Sequence, residues 1–156
     1  MTSLDVRAAG GEDDYRLARE LITEYLASLP FEVDFQDVEA ELGDLPAHYG
    51  PPAGAVLIGF VDGSAGGVVA LCRFNGPTCE MKRMFVRPEH RGRGLGRRLA
   101  EEVIGAARML GYTQMLLDTV QELDAANALY ESLGFRDVPS YRYNPRPDAR
   151  YLALEL

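Results

Sequence analysis

Apolar and polar residues alternate from Ser3 to Ala9, as in a first strand, and the period then changes. Ala18, Leu21, Ile22, Tyr25 and Leu29 recur at three- and four-residue intervals, which places them on one face of a helix. Glu12, Asp13 and Asp14 stand at its start, where carboxylates meet the positive end of the helix dipole, and Pro30 ends it. Asp34 is placed to cap a second helix carrying Phe35, Val38 and Leu42 on one face. The prolines and glycines between Pro46 and Gly54 predict a loop. Three strands follow, Ala55 to Val61, Gly67 to Phe74 and Thr78 to Arg87, joined by the hairpin signals Asp62-Gly63 and Asn75-Gly76. The middle of the chain therefore reads as an antiparallel meander. A two-residue turn at Asn75-Gly76 sets Cys72 opposite Cys79, either as a redox pair or as two buried thiols.

Leu95, Leu99, Val103, Ala106 and Leu110 form the next helical stripe, closed by Gly111. Gln114 to Val120 is a short apolar run suited to a buried strand, which completes a strand-helix-strand crossover. A helix from Asp124 to Leu133 ends at Gly134, and Phe135 to Val138 and Tyr151 to Leu156 are the last strands. Between them lies a polar aromatic loop, Tyr141 to Pro145.

Length predicts a single domain, residues 1–156. Apolar residues at 47% and charged residues at 26% are ordinary for a soluble protein. A net charge of -8 disfavours nucleic acid, which asks for a broad basic face, and favours a cationic substrate. The longest uncharged run, Pro46 to Val61, is broken by prolines and glycines, so no membrane span is expected. Without a signal-peptide pattern, and with two cysteines, the expected location is cytoplasmic. His48 and His90 lack metal-ligand company, so no metal is expected.

Charge distribution changes the picture in one place. Between Lys82 and Arg98 lie seven basic residues and one acid, Glu89, a basic island in an acidic chain. Gly92, Gly94 and Gly96 let the backbone turn and present its amides, and the helix that follows adds its unpaired first N–H groups. A phosphate group suits that arrangement. A dinucleotide fingerprint fails there, because Arg97 stands where the third glycine belongs.

Arg91-Gly92-Arg93-Gly94-Leu95-Gly96 resembles the (Gln/Arg)-x-x-Gly-x-(Gly/Ala) motif of the GNAT superfamily of acyl-CoA N-acyltransferases. Glu80 to Val86 looks like that family's fourth strand, and Asp124 to Phe135, with Ala126, Leu129-Tyr130 and Gly134-Phe135, is similar to its second conserved segment. The resemblance implies a mixed α/β, GNAT-like fold, with a mostly antiparallel sheet of about seven strands and about four helices on both faces.

It further implies acetyl-CoA as cosubstrate and an acetyl group passed directly to the primary amine of a small molecule, amino acid or peptide. Arg91, Gly92, Arg93, Gly94, Leu95, Gly96 and Arg97 would hold the pyrophosphate, and Phe85 and Val86 would meet the pantetheine arm and thioester oxygen. Glu80 matches a glutamate that removes the amine proton; its alternative reading is a strand residue paired with Lys82 or Arg83. Tyr130 matches the tyrosine that protonates the thiolate. Many members carry an asparagine seven residues earlier, where this chain has Leu123, and Asn127 on the same helical face is the substitute coenzyme contact. Phe31, Arg83, Tyr141 and Tyr143 are expected to line the acceptor pocket, with Glu32 and Asp34 beside them. A homodimer is an open expectation, as is a non-catalytic acetyl-CoA sensor that keeps the fold without turnover.

Overall fold

The computed structural model describes residues 1–31 and 35–156, so Glu32 and the capping role of Asp34 lie outside the described residues. Seven strands are found among them: β1 (Leu4–Ala8), β2 (Ala55–Val61), β3 (Ser64–Asn75), β4 (Thr78–Val86), β5 (Gln114–Val120), β6 (Arg136–Asp137) and β7 (Ala149–Glu155). They form one sheet in the order β1-β2-β3-β4-β5-β7-β6. Every pairing is antiparallel except β4 with β5. Among the described residues five α-helices accompany it: α1 (Glu12–Ser28), α2 (Phe35–Gly43), α3 (Leu45–Tyr49), α4 (Leu95–Met109) and α5 (Asp124–Ser132).

The sheet has a core on each face. On one, Leu95, Leu99 and Val103 of α4 and Tyr130 of α5 meet Val69, Leu71, Met81, Met115 and Leu117. On the other, Ala18, Leu21 and Ile22 of α1 and Leu45 and Tyr49 of α3 meet Val56, Ile58, Val68, Ala70 and Phe85. Glycines set the α4 distance. A Cβ at Gly59 would lie 2.7 Å from a Leu95 methyl, and one at Gly67 would lie 2.9 Å from a Leu99 methyl.

Three expectations need correction. Residues 45–49 are helical rather than loop, because Asp44 accepts the Ala47 N–H at 3.2 Å and Pro46 sits in the first turn, where its missing N–H costs nothing. Leu45 and Tyr49, one turn apart, then bury themselves. The β3–β4 turn is Gly76-Pro77, not Asn75-Gly76, since Asn75 pairs with Thr78. A register shift beside it sets Cys72 against Glu80 and Cys79 against Arg73. The two thiols therefore occupy opposite faces, Cys79 in the α4 core and Cys72 beside the α1 core.

A second shift lies deeper in the same hairpin. Ala70 pairs with Lys82 and Val68 with Phe85, so Arg83 and Met84 together oppose Val69. Arg83 takes the left-handed conformation there, φ 62°. The extra residue moves Phe85 to the α1 face and sends Met84 and Val86 to the α4 face.

β4 and β5 pair at only three positions, Thr78 to Glu80 with Gln114 to Leu116. Both strands continue, β4 to Val86 and β5 to Val120, without pairing to each other. The sheet is split from that point on.

Candidate active site

On the α4 side of the split lies the glycine-rich turn. A short 3-10 segment, Pro88–His90, leads into Gly92 (φ 79°) and Gly94 (φ 88°), the N-cap of α4. Side chains with a Cβ resist this left-handed backbone, which glycine adopts freely. No side chain caps α4, and its first intrahelical bond runs from the Arg98 N–H to the Gly94 carbonyl. The amides of Leu95, Gly96 and Arg97 thus keep their donors for a ligand. The Leu95 side chain itself is buried under the sheet, 1% exposed, so only its backbone is available.

Neighbouring carboxylates neutralise part of the basic island. Arg87 is bidentate on Glu24 (2.9 and 2.6 Å), and Arg98 pairs with Glu102 at 3.0 Å. Arg91 donates to the Val86 carbonyl at 3.0 Å, and Arg97 to Ser132 Oγ at 2.5 Å. Arg93 is exposed and has no ion-pair partner among the described residues. Arg91, Arg93 and Arg97 remain around the turn as exposed residues, Arg97 also lying 3.7 Å from Glu101 in a solvated ion pair.

Tyr130 and Asn127 are the buried residues of α5, Tyr130 in the α4-side core and Asn127 against the end of β5. Asn127 is buried, its Nδ2 donates to the Val120 carbonyl at 2.9 Å, and its Oδ1 is buried without a partner among the described residues. A buried acceptor left unpaired is costly, and a ligand N–H would satisfy it. Tyr130 packs edge-on against Phe135. Burial pushes its pKa well above the ordinary value, and Tyr25 of α1, from the opposite face of the sheet, raises it further.

On the α1 side, Glu80 is 2% exposed. Its Oε1 accepts from Arg142 Nη2 at 2.7 Å and its Oε2 from the Tyr141 hydroxyl at 2.8 Å. Neither Lys82 nor Arg83 is its partner, which corrects that alternative. Arg142 belongs to the loop between β6 and β7, and Tyr151 fixes the loop by donating its hydroxyl to the Arg142 carbonyl at 2.9 Å. Tyr141 stacks edge-on with Phe74 and Tyr151. Burial, then the charges of Glu80 and Asp118, push its pKa far up, so the hydroxyl stays a donor.

Arg83 is held by a carboxylate from another element. Its guanidinium is bidentate on the buried Glu41 of α2 (2.8 and 2.5 Å), which ties that helix to the β4 bulge. Phe31 lies under Arg146, 4.8 Å from guanidinium carbon to ring centre, at the edge of the same region. Tyr143 is 87% exposed and joins none of these groups. Phe85 is buried against Tyr25, and its backbone with that of Val86 follows the bulge beside the split.

Sequence reading missed Arg142, Glu41 and Asp118 as members of this cluster. Asp118 alone carried a usable signal, as the one charged residue in the apolar run Gln114 to Val120.

Residues 17–135 match the model of the Acetyltransferase (GNAT) family. An uncharacterised N-acetyltransferase of Schizosaccharomyces pombe is 42% identical over 146 residues, covering 92% of this chain and 88% of that protein. The N-acetylaspartate synthetase of Danio rerio is 32% identical over 80% of this chain, which spans 42% of that protein's length. Among solved structures, a GNAT-family acetyltransferase from Staphylococcus aureus superposes with a TM-score of 0.80 at 17% identity, covering 98% of this chain and 99% of that one. The protein yncA of Salmonella typhimurium, solved with acetyl-CoA, superposes with a TM-score of 0.71 at 21% identity, covering 97% of this chain and 93% of that one.

Proposed function

The chain belongs to the GNAT acetyltransferase family, and from that premise we propose that it moves an acetyl group from acetyl-CoA to a primary amine of a small molecule, amino acid or peptide within a ternary complex. The observation that carries this reading is the split between β4 and β5, with anion-suited backbone on its α4 side and a buried carboxylate on its α1 side. Donor and acceptor would enter from opposite faces and meet there. The N-acetylaspartate synthetases align with most of this chain, which supports a range of acceptors that includes amino acids.

In this reading the turn from Gly92 to Arg97, with Arg91 and Arg93, binds the pyrophosphate, and Asn127 Oδ1 accepts an amide N–H of the pantetheine arm. The amine nitrogen attacks the thioester carbonyl, so that a C–N bond forms and the C–S bond breaks. A backbone N–H at Phe85 or Val86 supports the oxygen as charge builds on it, an effect worth roughly 3 kcal/mol in other acyl transfers. Each Glu80 oxygen accepts one hydrogen bond and keeps a lone pair, through which it takes the amine proton by way of water. Tyr130 supplies the proton that the departing thiolate needs.

Thermal unfolding with and without acetyl-CoA, followed by thiol release in the presence of amines, tests the reading. Saturation at a hundredfold excess over Kd should add about 2.7 kcal/mol of stability. No rise in Tm at millimolar acetyl-CoA would remove the donor site. A rise without thiol release on any amine would leave the sensor reading instead.

A further inference from the structure

Most charges on the α1 side of the split are matched. Arg83 holds Glu41, Arg142 holds Glu80, and Arg146 holds Asp148 at 3.0 Å. Two lack an ion-pair partner among the described residues. Lys82 makes no hydrogen bond or ion pair there, its charge reaching the Arg83-bound Glu41 only at longer range, and Asp118 accepts from the Asn144 side-chain amide, at 3.3 Å.

Register places these two groups symmetrically. Glu80 and Leu116 are the last paired positions of β4 and β5. Lys82 stands two residues beyond Glu80, and Asp118 two residues beyond Leu116, so each is the first residue on its arm of the split whose side chain returns to the same face. Both point to the α1 side: Lys82 pairs with Ala70 of that core, while Met115 and Leu117, the neighbours of Leu116 and Asp118 on alternate positions, belong to the α4 core. Lys82 is half-buried, and so is Asp118. No ion pair joins them, although paired strands lie only about 4.8 Å apart. One cation and one anion, neither with an ion-pair partner among the described residues, thus flank the place where the strands part.

We propose, resting on the acetyl-transfer reading above, that the acceptor is a free α-amino acid, its carboxylate bound by Lys82 and its ammonium received by Asp118. A zwitterion supplies one charge of each sign on adjacent groups and matches both unpaired side chains at once. A peptide N-terminus puts a neutral amide where Lys82 asks for an anion, and a simple amine puts nothing there. Either leaves a half-buried ammonium without its counter-charge. Arg142 strengthens the cationic edge: its charge and that of Lys82 both oppose the rise that burial imposes on the Cys72 thiol. Asp118 orients the nitrogen, and Glu80 takes the proton through water. The overall change is ammonium plus thioester to amide, thiol and one proton.

Initial rates of thiol release should be compared for three forms of each acceptor: free L-amino acids, their α-carboxamides and their decarboxylated amines. The carboxamide has the less basic amine, so chemistry alone favours it, and a preference for the acid reports binding. For the preferred side chain the acid should exceed both comparators in kcat/KM by about 10- to 100-fold, the range for a charge-assisted hydrogen bond. Lys82→Met should collapse that ratio to near one, and Lys82→Arg should retain part of it. Asp118→Asn should raise the KM of the acid. An acetyl-CoA-dependent rise in Tm in each variant confirms that it is folded. Equal rates for acid, carboxamide and amine, or a Lys82→Met protein that keeps the preference, would overturn the inference and leave acetyl transfer standing. No thiol release with any amine would overturn acetyl transfer and the inference with it.

Discussion

Arg142 closes an ion pair on Glu80, Nη2 to Oε1 at 2.7 Å, from 62 positions further along the chain. Glu80 is almost wholly enclosed and Arg142 about one-third exposed. The carboxylate is therefore oriented by the β6–β7 loop rather than by its strand neighbours. Glu80→Gln should lower kcat by about 100-fold, the usual range for a positioned base, with the loss greatest at low pH, where the amine most needs deprotonation. A kcat/KM profile that keeps its wild-type shape and height would remove Glu80 from the reaction. Arg142→Met should cost about 1–3 kcal/mol in urea unfolding, less than a fully buried pair because Arg142 is partly solvated.

Tyr130 carries its hydroxyl on a ring that packs against Phe135, 5.8 Å between centres. Tyr130→Phe preserves that packing and removes only the hydroxyl. Turnover should fall by about 10- to 100-fold, while the acetyl-CoA Kd from thermal titration stays within about twofold of wild type. Equal turnover by the variant would exclude Tyr130 as the acid.

Gly94 and Gly105 make a matched pair for testing the cradle. At Gly94 a Cβ meets only Leu4, 3.7 Å away, so the obstacle to substitution is the left-handed backbone and not a clash. Gly94→Val should destabilise by about 1–2 kcal/mol and weaken acetyl-CoA binding by at least about tenfold. Gly105 lies inside α4 with open space around its Cβ position. Gly105→Ala should stabilise by about 0.5–1 kcal/mol without change in acetyl-CoA affinity. Unaltered affinity in Gly94→Val would separate the turn from coenzyme binding.

Glu41 links stability to pH through Arg83. Burial alone would raise its pKa, but the Arg83 hydrogen bonds and charge prevail and hold it below the ordinary 4.5. A carboxyl with a lowered folded pKa contributes its stability above the unfolded pKa and loses it as pH falls through the folded value. Glu41→Gln should therefore cost about 2–4 kcal/mol near neutral pH, and progressively less below about pH 4.5. Urea unfolding of both proteins at neutral and acid pH checks this. A gap that stays constant into acid would show that the ion pair is not its source.

Legibility differed by the range of the interaction. The strand Gln114–Val120 and the helix starts at Glu12, Leu95 and Asp124 follow from local period and punctuation, and the structure has them there. The helix at residues 45–49 was hidden because proline and glycine mark loops in general, while Pro46 is tolerated at this one position by virtue of the Asp44 cap. The turn after Asn75 was misplaced by one residue, and strand geometry turned that small error into opposite faces for Cys72 and Cys79.

Local pattern encodes the order of the strands and longer helices, the alternation that gives each strand its two faces, and the glycine-rich turn before α4, because these depend on residues within a few positions of each other. Which charges are matched depends on the packing of distant segments. Glu80 meets Arg142, Arg83 meets Glu41 at a separation of 42, and Lys82 and Asp118 are left on either side of the split. Ion pairing depends on distance in space, and the bulge at Arg83 and the parting of β4 from β5 reset those distances through backbone packing that no local pattern encodes.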